Sequence, residues 1–256
     1  MQTPAPAMLA RDIEYSHQGT RMLGRLVVPE APAADGPLPC IVLFHDAFGL
    51  TADTLAIADR LAGLGVAVLA ADVWGDRLTP ASEEEIGPLI GGMVADRSRW
   101  HGRVTAAHAA AIAQPEVDPT RVIAMGYCFG GSSALEHLRT GGGVRAAIAI
   151  HPGLDLLVPG WQSAHFGSRV LLCIGAEDPM ADAEMRARLE EQMTDAGIDW
   201  ELDLYSGTRH AFTSPQAAHS PMPHVVAYHP RNAARAWAAT TRFLTELIDE
   251  LQPITA

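Results

Sequence analysis

The chain has 256 residues, 48% of them hydrophobic and 19% charged, and a formal net charge of −12 from 30 acidic and 18 basic side chains. An acidic balance without a basic run repels nucleic acid and anionic membrane surfaces, so neither is expected as a partner. Three cysteines, Cys40, Cys128 and Cys173, are too few and too odd in number for a disulfide framework; with no basic, apolar leader and no run near the roughly 18 apolar residues of a membrane span, a reducing cytoplasm is the expected location.

Residues 12–17 and 21–28 alternate loosely in polarity about Gln18-Gly19-Thr20 and predict an opening hairpin. Residues 31–37, rich in Ala, Pro and Gly, read as a surface loop. Residues 40–44 form a continuous apolar run, the pattern of a strand buried on both faces. His45-Asp-Ala-Phe-Gly49 follows, then a helical pattern from Thr51 to about Leu64 and a second buried strand over 66–70. Residues 82–97 and 99–113 read as helices, the first with Glu83, Glu84 and Glu85 at its positive end. Residues 121–125 predict a strand and 130–139 a helix stopped by the glycines after Thr140. Strands are expected over 144–150, 170–174 and 200–204, and a helix over 181–196 closed by Gly197. The last element, 231–251, is an amphipathic helix with Ala234, Trp237, Ala238, Thr241, Phe243, Leu244, Leu247 and Ile248 on one broad face. No linker or repeat divides the chain, so a single α/β domain over 1–256 is expected, its mostly parallel sheet covered by helices on both faces. A hairpin followed by alternating strands and helices points to the α/β-hydrolase plan.

Functional side chains of a parallel sheet gather where strands end. After a strand, Gly126-x-Cys128-x-Gly130 forces a tight strand-to-helix turn that lifts the central side chain above the sheet, which makes Cys128 the candidate nucleophile. Cys40 and Cys173 fall inside predicted strands and read as structural. A thiol needs a base and an orienting acid, and on this scaffold the acid precedes the histidine in the chain. Gly175-Ala-Glu-Asp-Pro179 ends a strand and offers Asp178, preferred over its neighbour Glu177 for its spacing from the glycine. His210 lies in the loop after the next strand. His151 follows the strand over 144–150 at the same end of the sheet and is expected to line the pocket. Phe48, Trp74, Trp100 and Trp161 are candidate pocket walls. His210, His219, His224 and His229 are spaced by 9, 5 and 5 residues, and Pro221, Pro223 and Pro230 break any helix there. That spacing fits no metal site, and no Gly-rich phosphate loop occurs, so no metal or other cofactor is expected.

Together, His45-Asp-Ala-Phe-Gly49, Asp72-Val-Trp-Gly-Asp-Arg77, Gly126-Tyr-Cys-Phe-Gly-Gly131, Gly175-Ala-Glu-Asp178 and Tyr205-Ser-Gly-Thr-Arg-His-Ala-Phe212 resemble the dienelactone hydrolase family of α/β-hydrolases, from about residue 12 to 251. The cysteine at the elbow is the most specific of these features, since most related hydrolases use serine there. The resemblance implies cleavage of a small carboxylic ester or lactone. Cys128 would attack the carbonyl, His210 manage protons, Asp178 hold the imidazole, and water release a thioester intermediate. The backbone N–H groups of Phe129 and Ala47 would form the oxyanion hole. In the family a glutamate contacts the thiol from the loop where this chain has the shorter Asp46, and two arginines hold the substrate carboxylate. Arg77 matches the first arginine, whereas Thr213-Ser-Pro-Gln216 occupies the place of the second. The missing arginine points toward an ester or lactone other than dienelactone itself. Two alternatives remain: the same scaffold acting on thioesters or other acyl compounds, and a non-catalytic protein of this fold that binds a ligand or partner. The complete set of Cys, Asp and His argues against the second.

Overall fold

Strands built only of Val, Ile, Leu, Ala and Cys leave no face for water, so both faces of their sheet must be covered. The computed structural model describes residues 7–30 and 36–250; most of the predicted loop over 31–37 and the predicted helix end at Leu251 lie outside them. Eight strands form one sheet: β1 (Met8–His17), β2 (Thr20–Pro29), β3 (Leu38–Phe44), β4 (Ala67–Ala71), β5 (Val117–Tyr127), β6 (Ala146–Ile150), β7 (Arg169–Gly175) and β8 (Asp199–Tyr205). Their spatial order is β1-β2-β4-β3-β5-β6-β7-β8. β1 and β2 form the opening hairpin, and β2 also runs antiparallel to β4, while the pairs from β4 onward are parallel. At the hairpin tip Gln18 and Gly19 both have positive φ, 48° and 77°, as in the primed turns whose twist matches that of the flanking strands. This is the α/β-hydrolase architecture, with the antiparallel hairpin at one edge.

Helices α1 (Ala52–Ala62), α2 (Glu83–Ala95), α3 (Arg97–Ile112), α4 (Phe129–Arg139), α5 (Ala183–Asp195) and α6 (Pro230–Glu250) cover the sheet. Trp100, Val104, Phe129, Leu135 and Leu189 of α3, α4 and α5 fill one face, and Leu61, Phe243, Leu244 and Leu247 of α1 and α6 fill the other. Each such side chain contributes roughly 1.5–3 kcal/mol by leaving water. The face of α6 is rotated from the expected one: Ala236, Ala239 and Thr240 are buried, while Ala234 and Ala238 are exposed. Alanine and threonine fit either environment, so Phe243 sets the face, and positions 236, 239 and 240 lie seven, four and three residues before it. β5 starts four residues earlier than its apolar run, because Pro119 is accommodated where the β3–β5 register shifts between Leu38 and Cys40.

A buried carboxylate ties α4 to α3. Glu136, 1% exposed, accepts from Arg97, His101 and Arg139 at 3.1, 2.9 and 2.7 Å. Burial alone would raise its pKa, yet the hydrogen bonds and charges of His101, Arg139 and Arg97 bring it down to about 2. The helix that begins at the elbow is therefore anchored at its far end by charge.

Candidate active site

The C-terminal ends of β3, β5, β6, β7 and β8 bring the predicted reactive side chains to one edge of the sheet. At the elbow after β5, a Cβ on Gly126 would collide with the carbonyl group of Gly130, and one on Gly130 with the carbonyl oxygens of Phe44 and His45. Backbone cannot yield to a methyl group, so both positions need glycine. Cys128 takes φ 53° and ψ −121°, a strained conformation that a non-glycine residue keeps only when its surroundings enforce it. Here they do: its N–H donates to Ile150 O at 3.0 Å, and its carbonyl accepts from Ser132 N at 3.2 Å. Phe129, the first residue of α4, is fully buried and stacked between Trp74 and Trp100 at ring separations of 4.6 and 5.1 Å.

His210 connects the elbow to the acid. Its Nε2 lies 3.1 Å from Cys128 Sγ, and its Nδ1 lies 2.8 Å from Asp178 Oδ2. The chain beyond His210 doubles back over it, so that His210 N–H donates to Val225 O and its carbonyl accepts from Ala227 N. Asp178 is buried, and its other oxygen accepts from Met180 N at 2.9 Å. Glu177, the alternative acid, is instead exposed and faces Arg209 at 3.4 Å. Burial disfavours a charged His210, but its interactions with the Cys128 sulfur and the Asp178 carboxylate outweigh it and hold the imidazole pKa up to about 10.

The loop after β3 carries Ala47, the expected second oxyanion donor. Two aromatic side chains brace it. His45 Nε2 accepts from Val73 N at 3.0 Å while its Nδ1 meets Asp46 O at 2.6 Å, and burial keeps this imidazole neutral by pushing its pKa down. Trp74 Nε1 donates to Ala47 O at 3.1 Å. Asp46 lines the cavity, yet its carboxylate accepts from Phe48 N at 2.9 Å rather than from the thiol. Burial pushes the Asp46 carboxyl up to about 6.

The cavity above Cys128 has a volume of about 850 Å³ and is walled by Asp46, Phe48, His151 and Thr213 near the sulfur and by Arg60 and Trp237 further out. His151 takes φ 39°, places its ring 5.3 Å from that of His210, and shares a 2.8 Å hydrogen bond between Nε2 and Thr213 Oγ1. Burial and the neighbouring His210 charge push its pKa well below the usual range, so it is neutral. Trp74, Trp100 and Trp161 do not line the cavity; all three are buried in the core, and Trp74 acts from behind the Ala47 loop.

The expectation for Arg77 is corrected by its direction. Its guanidinium donates to Leu23 O and Gly24 O at 2.8 and 3.2 Å and pairs with Asp12 at 2.6 Å, which turns it onto the opening hairpin and outside the cavity. Buried Asp72 sets that direction by accepting from the backbone N–H groups of Leu23, Gly75 and Arg77. Among the described residues, no group of three His, Cys, Asp or Glu side chains could hold a metal ion, and no helix is long and apolar enough to cross a membrane. Arg60, Tyr127 and Thr240 also line the cavity without having been singled out in the sequence, and so does Trp237, which was read only as part of the apolar face of the last helix. The signal for Arg60 is the helical spacing of Asp53, Ile57 and Arg60 along one side of α1.

A family model described as "Dienelactone hydrolase family" matches residues 22–248. A protein of Bradyrhizobium sp. named "Probable 2-oxo-3-(5-oxofuran-2-ylidene)propanoate lactonase" is 26% identical over 234 residues, covering 88% of this chain and 91% of its own. Among solved structures, a dienelactone hydrolase-like promiscuous phosphotriesterase from metagenomic libraries is 36% identical, with a TM-score of 0.85 over 94% of this chain and 99% of its own. Another, called m3DLH, is also 36% identical, with a TM-score of 0.86 over 96% and 99% of the two chains. With the family pattern running from β2 nearly to the end of α6, the chain belongs to the dienelactone hydrolase family.

Proposed function

We propose that the chain hydrolyses small carboxylic esters or lactones, with Cys128 as nucleophile, His210 as proton carrier and Asp178 as the acid that orients it. The observation that carries this is the continuous relay from Asp178 Oδ2 through the two nitrogens of His210 to Cys128 Sγ, at 2.8 and 3.1 Å. The sulfur attacks the carbonyl carbon, and the oxygen takes up negative charge facing the N–H groups of Phe129 and Ala47. One such donor is typically worth about 3 kcal/mol of transition-state stabilisation. The C–O bond then breaks, His210 gives its Nε2 proton to the departing alkoxide, and a thioester remains on Cys128. In a lactone the alcohol stays tethered to the acyl group.

Acylation removes the negative charge that raises the His210 pKa. The imidazole can then take a proton from water as hydroxide adds to the thioester, and collapse returns the sulfur as leaving group with His210 protonated again. With Arg77 turned onto the hairpin and His151 neutral, no arginine among the described residues stands beside Cys128 to hold a carboxylate against the scissile bond. This favours substrates other than dienelactone. The 36%-identical phosphotriesterase supports a second reading, in which the same sulfur displaces an alcohol from a neutral phosphotriester.

Turnover of a short-chain aryl ester, a dienelactone and an aryl phosphotriester by wild type and Cys128→Ala tests the proposal, with acid-quenched mass spectrometry to seek the acyl group on Cys128. Ester turnover that disappears in Cys128→Ala, with a thioester trapped in wild type, is expected. Equal rates in the two proteins would refute the role of the sulfur.

A further inference from the structure

The cavity does not end beside the nucleophile. α1 and α6 both start at the reactive edge of the sheet and run away from it, and the trough between them is lined by Ile57 and Arg60 on one side and by Ala233, Trp237 and Thr240 on the other. Arg60 lies nine residues beyond Thr51, about 13 Å along the helix at 1.5 Å per residue. Two hydrogen-bond donors come together at this far end, Arg60 over Trp237 and Thr240 one turn further along α6, and neither has an acceptor among the described residues. The Arg60 guanidinium lies 3.8 Å from the ring centroid of Trp237 and makes no ion pair among the described residues. The Thr240 hydroxyl, on a residue only 1% exposed, has no hydrogen-bond partner.

We propose that Arg60 and Thr240 form an anion subsite that binds a carboxylate carried on the acyl chain far from the scissile bond, so that monoesters of medium-length dicarboxylic acids are preferred substrates; this rests on Cys128 being the nucleophile. A site made of donors alone suits an acceptor with several lone pairs, and a planar guanidinium suits a carboxylate. Stacking on Trp237 holds the guanidinium in place before the ligand arrives. Asp46, Asp53 and Glu83 also line the cavity, and Arg60 is the one arginine or lysine on its wall among the described residues. Those acids repel a substrate carboxylate, and Arg60 is the point on the wall that attracts one.

The test uses mono-nitrophenyl esters of succinic, adipic, suberic and sebacic acids beside uncharged nitrophenyl esters of matched acyl length. For each protein the readout is the ratio of kcat/KM between the charged and uncharged member of a pair. In wild type the ratio should rise with length and peak at suberate or sebacate. Arg60→Gln should lower that peak about tenfold through KM, a moderate loss because Arg60 is solvent-exposed. Arg60→Lys should restore much of it, and Thr240→Val should lower it less. A ratio unchanged by Arg60→Gln, or lowered as much for succinate as for suberate, would overturn the subsite. Calorimetry with free suberate separates the two layers. Binding to wild type that weakens in Arg60→Gln supports the subsite even if no ester is turned over, and no binding to wild type overturns it even if short esters are.

Discussion

Asp178→Asn keeps the shape of the buried acid and removes its charge. In the wild-type protein the two carboxylate oxygens have different duties: Oδ1 accepts from Met180 N at 2.9 Å and Oδ2 faces His210 Nδ1 at 2.8 Å. An asparagine has only one acceptor oxygen. If that oxygen stays with Met180, the amide NH2 meets Nδ1 and forces the hydrogen of a neutral imidazole onto Nε2, the atom that must receive the proton. If the oxygen turns to His210, the buried Met180 N–H faces a donor. The first outcome removes a charge-assisted hydrogen bond, worth about 1.5–3 kcal/mol, and withdraws one of the interactions that raise the His210 pKa. Adding the loss of orientation, kcat/KM for an aryl ester should fall on the order of 10²- to 10⁴-fold, about 3–5 kcal/mol, with much of the fold's thermal stability kept. The assay is steady-state hydrolysis across pH beside a thermal melt, and the alkaline limb of the profile should move to lower pH. A variant within about threefold of wild type, with an unchanged melt and pH profile, would refute the role given to Asp178.

His210 has a folded pKa near 10 against 6.5 unperturbed, so its stabilising contribution is complete below pH 6.5 and lost as pH rises through about 10; activity should fall over the same upper range, and Cys128→Ala should move the His210 NMR titration downward. Burial pushes the Cys40 and Cys173 thiols up to about 12, so brief iodoacetamide treatment of the folded protein should alkylate Cys128 alone, read by peptide mass mapping. Gly130→Ala drives a methyl group into the carbonyls of Phe44 and His45; a loss of roughly 1–3 kcal/mol in stability together with nearly all ester turnover is expected from chemical denaturation and kinetics. Glu136 has a depressed pKa, so it stabilises the fold by about 3 kcal/mol above pH 4.5 and loses that as pH falls through about 2. Glu136→Gln leaves Arg97 and Arg139 facing a neutral amide and should cost about 3–5 kcal/mol at pH 7, measured by urea unfolding.

Much of the fold was readable because its central strands are buried on both faces and leave unbroken apolar runs, as at Cys40–Phe44. The elbow was readable for another reason: steric crowding at Gly126 and Gly130 leaves a fixed local spelling. Asp178 and His210 could be placed by their order in the chain and by the strand ends before them. Direction was harder to read than position. Arg77 follows Asp72 at the spacing of the family pattern, but the hydrogen bonds that turn it onto the hairpin come from Leu23 and Gly24, more than fifty residues away. Trp74 was expected in the pocket wall and instead holds the Ala47 carbonyl from behind, a contact only the packing of two loops could create. The far wall of the cavity left no single motif. Arg60 and Thr240 come from α1 and α6 and come together only when the two helices pack side by side on the sheet.

Asp46 shows what one methylene changes. Its short side chain is satisfied by its own loop, at Phe48 N, which leaves His210 Nε2 as the polar side-chain partner of the Cys128 sulfur. A longer acid reaching the thiol would compete with His210 for its proton and separate nucleophile from base at rest. In this chain the two are paired at 3.1 Å before substrate arrives, and the sulfur is among the groups that raise the His210 pKa. On the proposed mechanism one charge then governs both halves of turnover. While it sits on sulfur, the imidazole is an acid ready to protonate the leaving alcohol. Once acylation removes it, the same imidazole becomes a base for water. On that mechanism the shorter side chain at position 46 ties the protonation state of His210 directly to whether Cys128 is free or acylated.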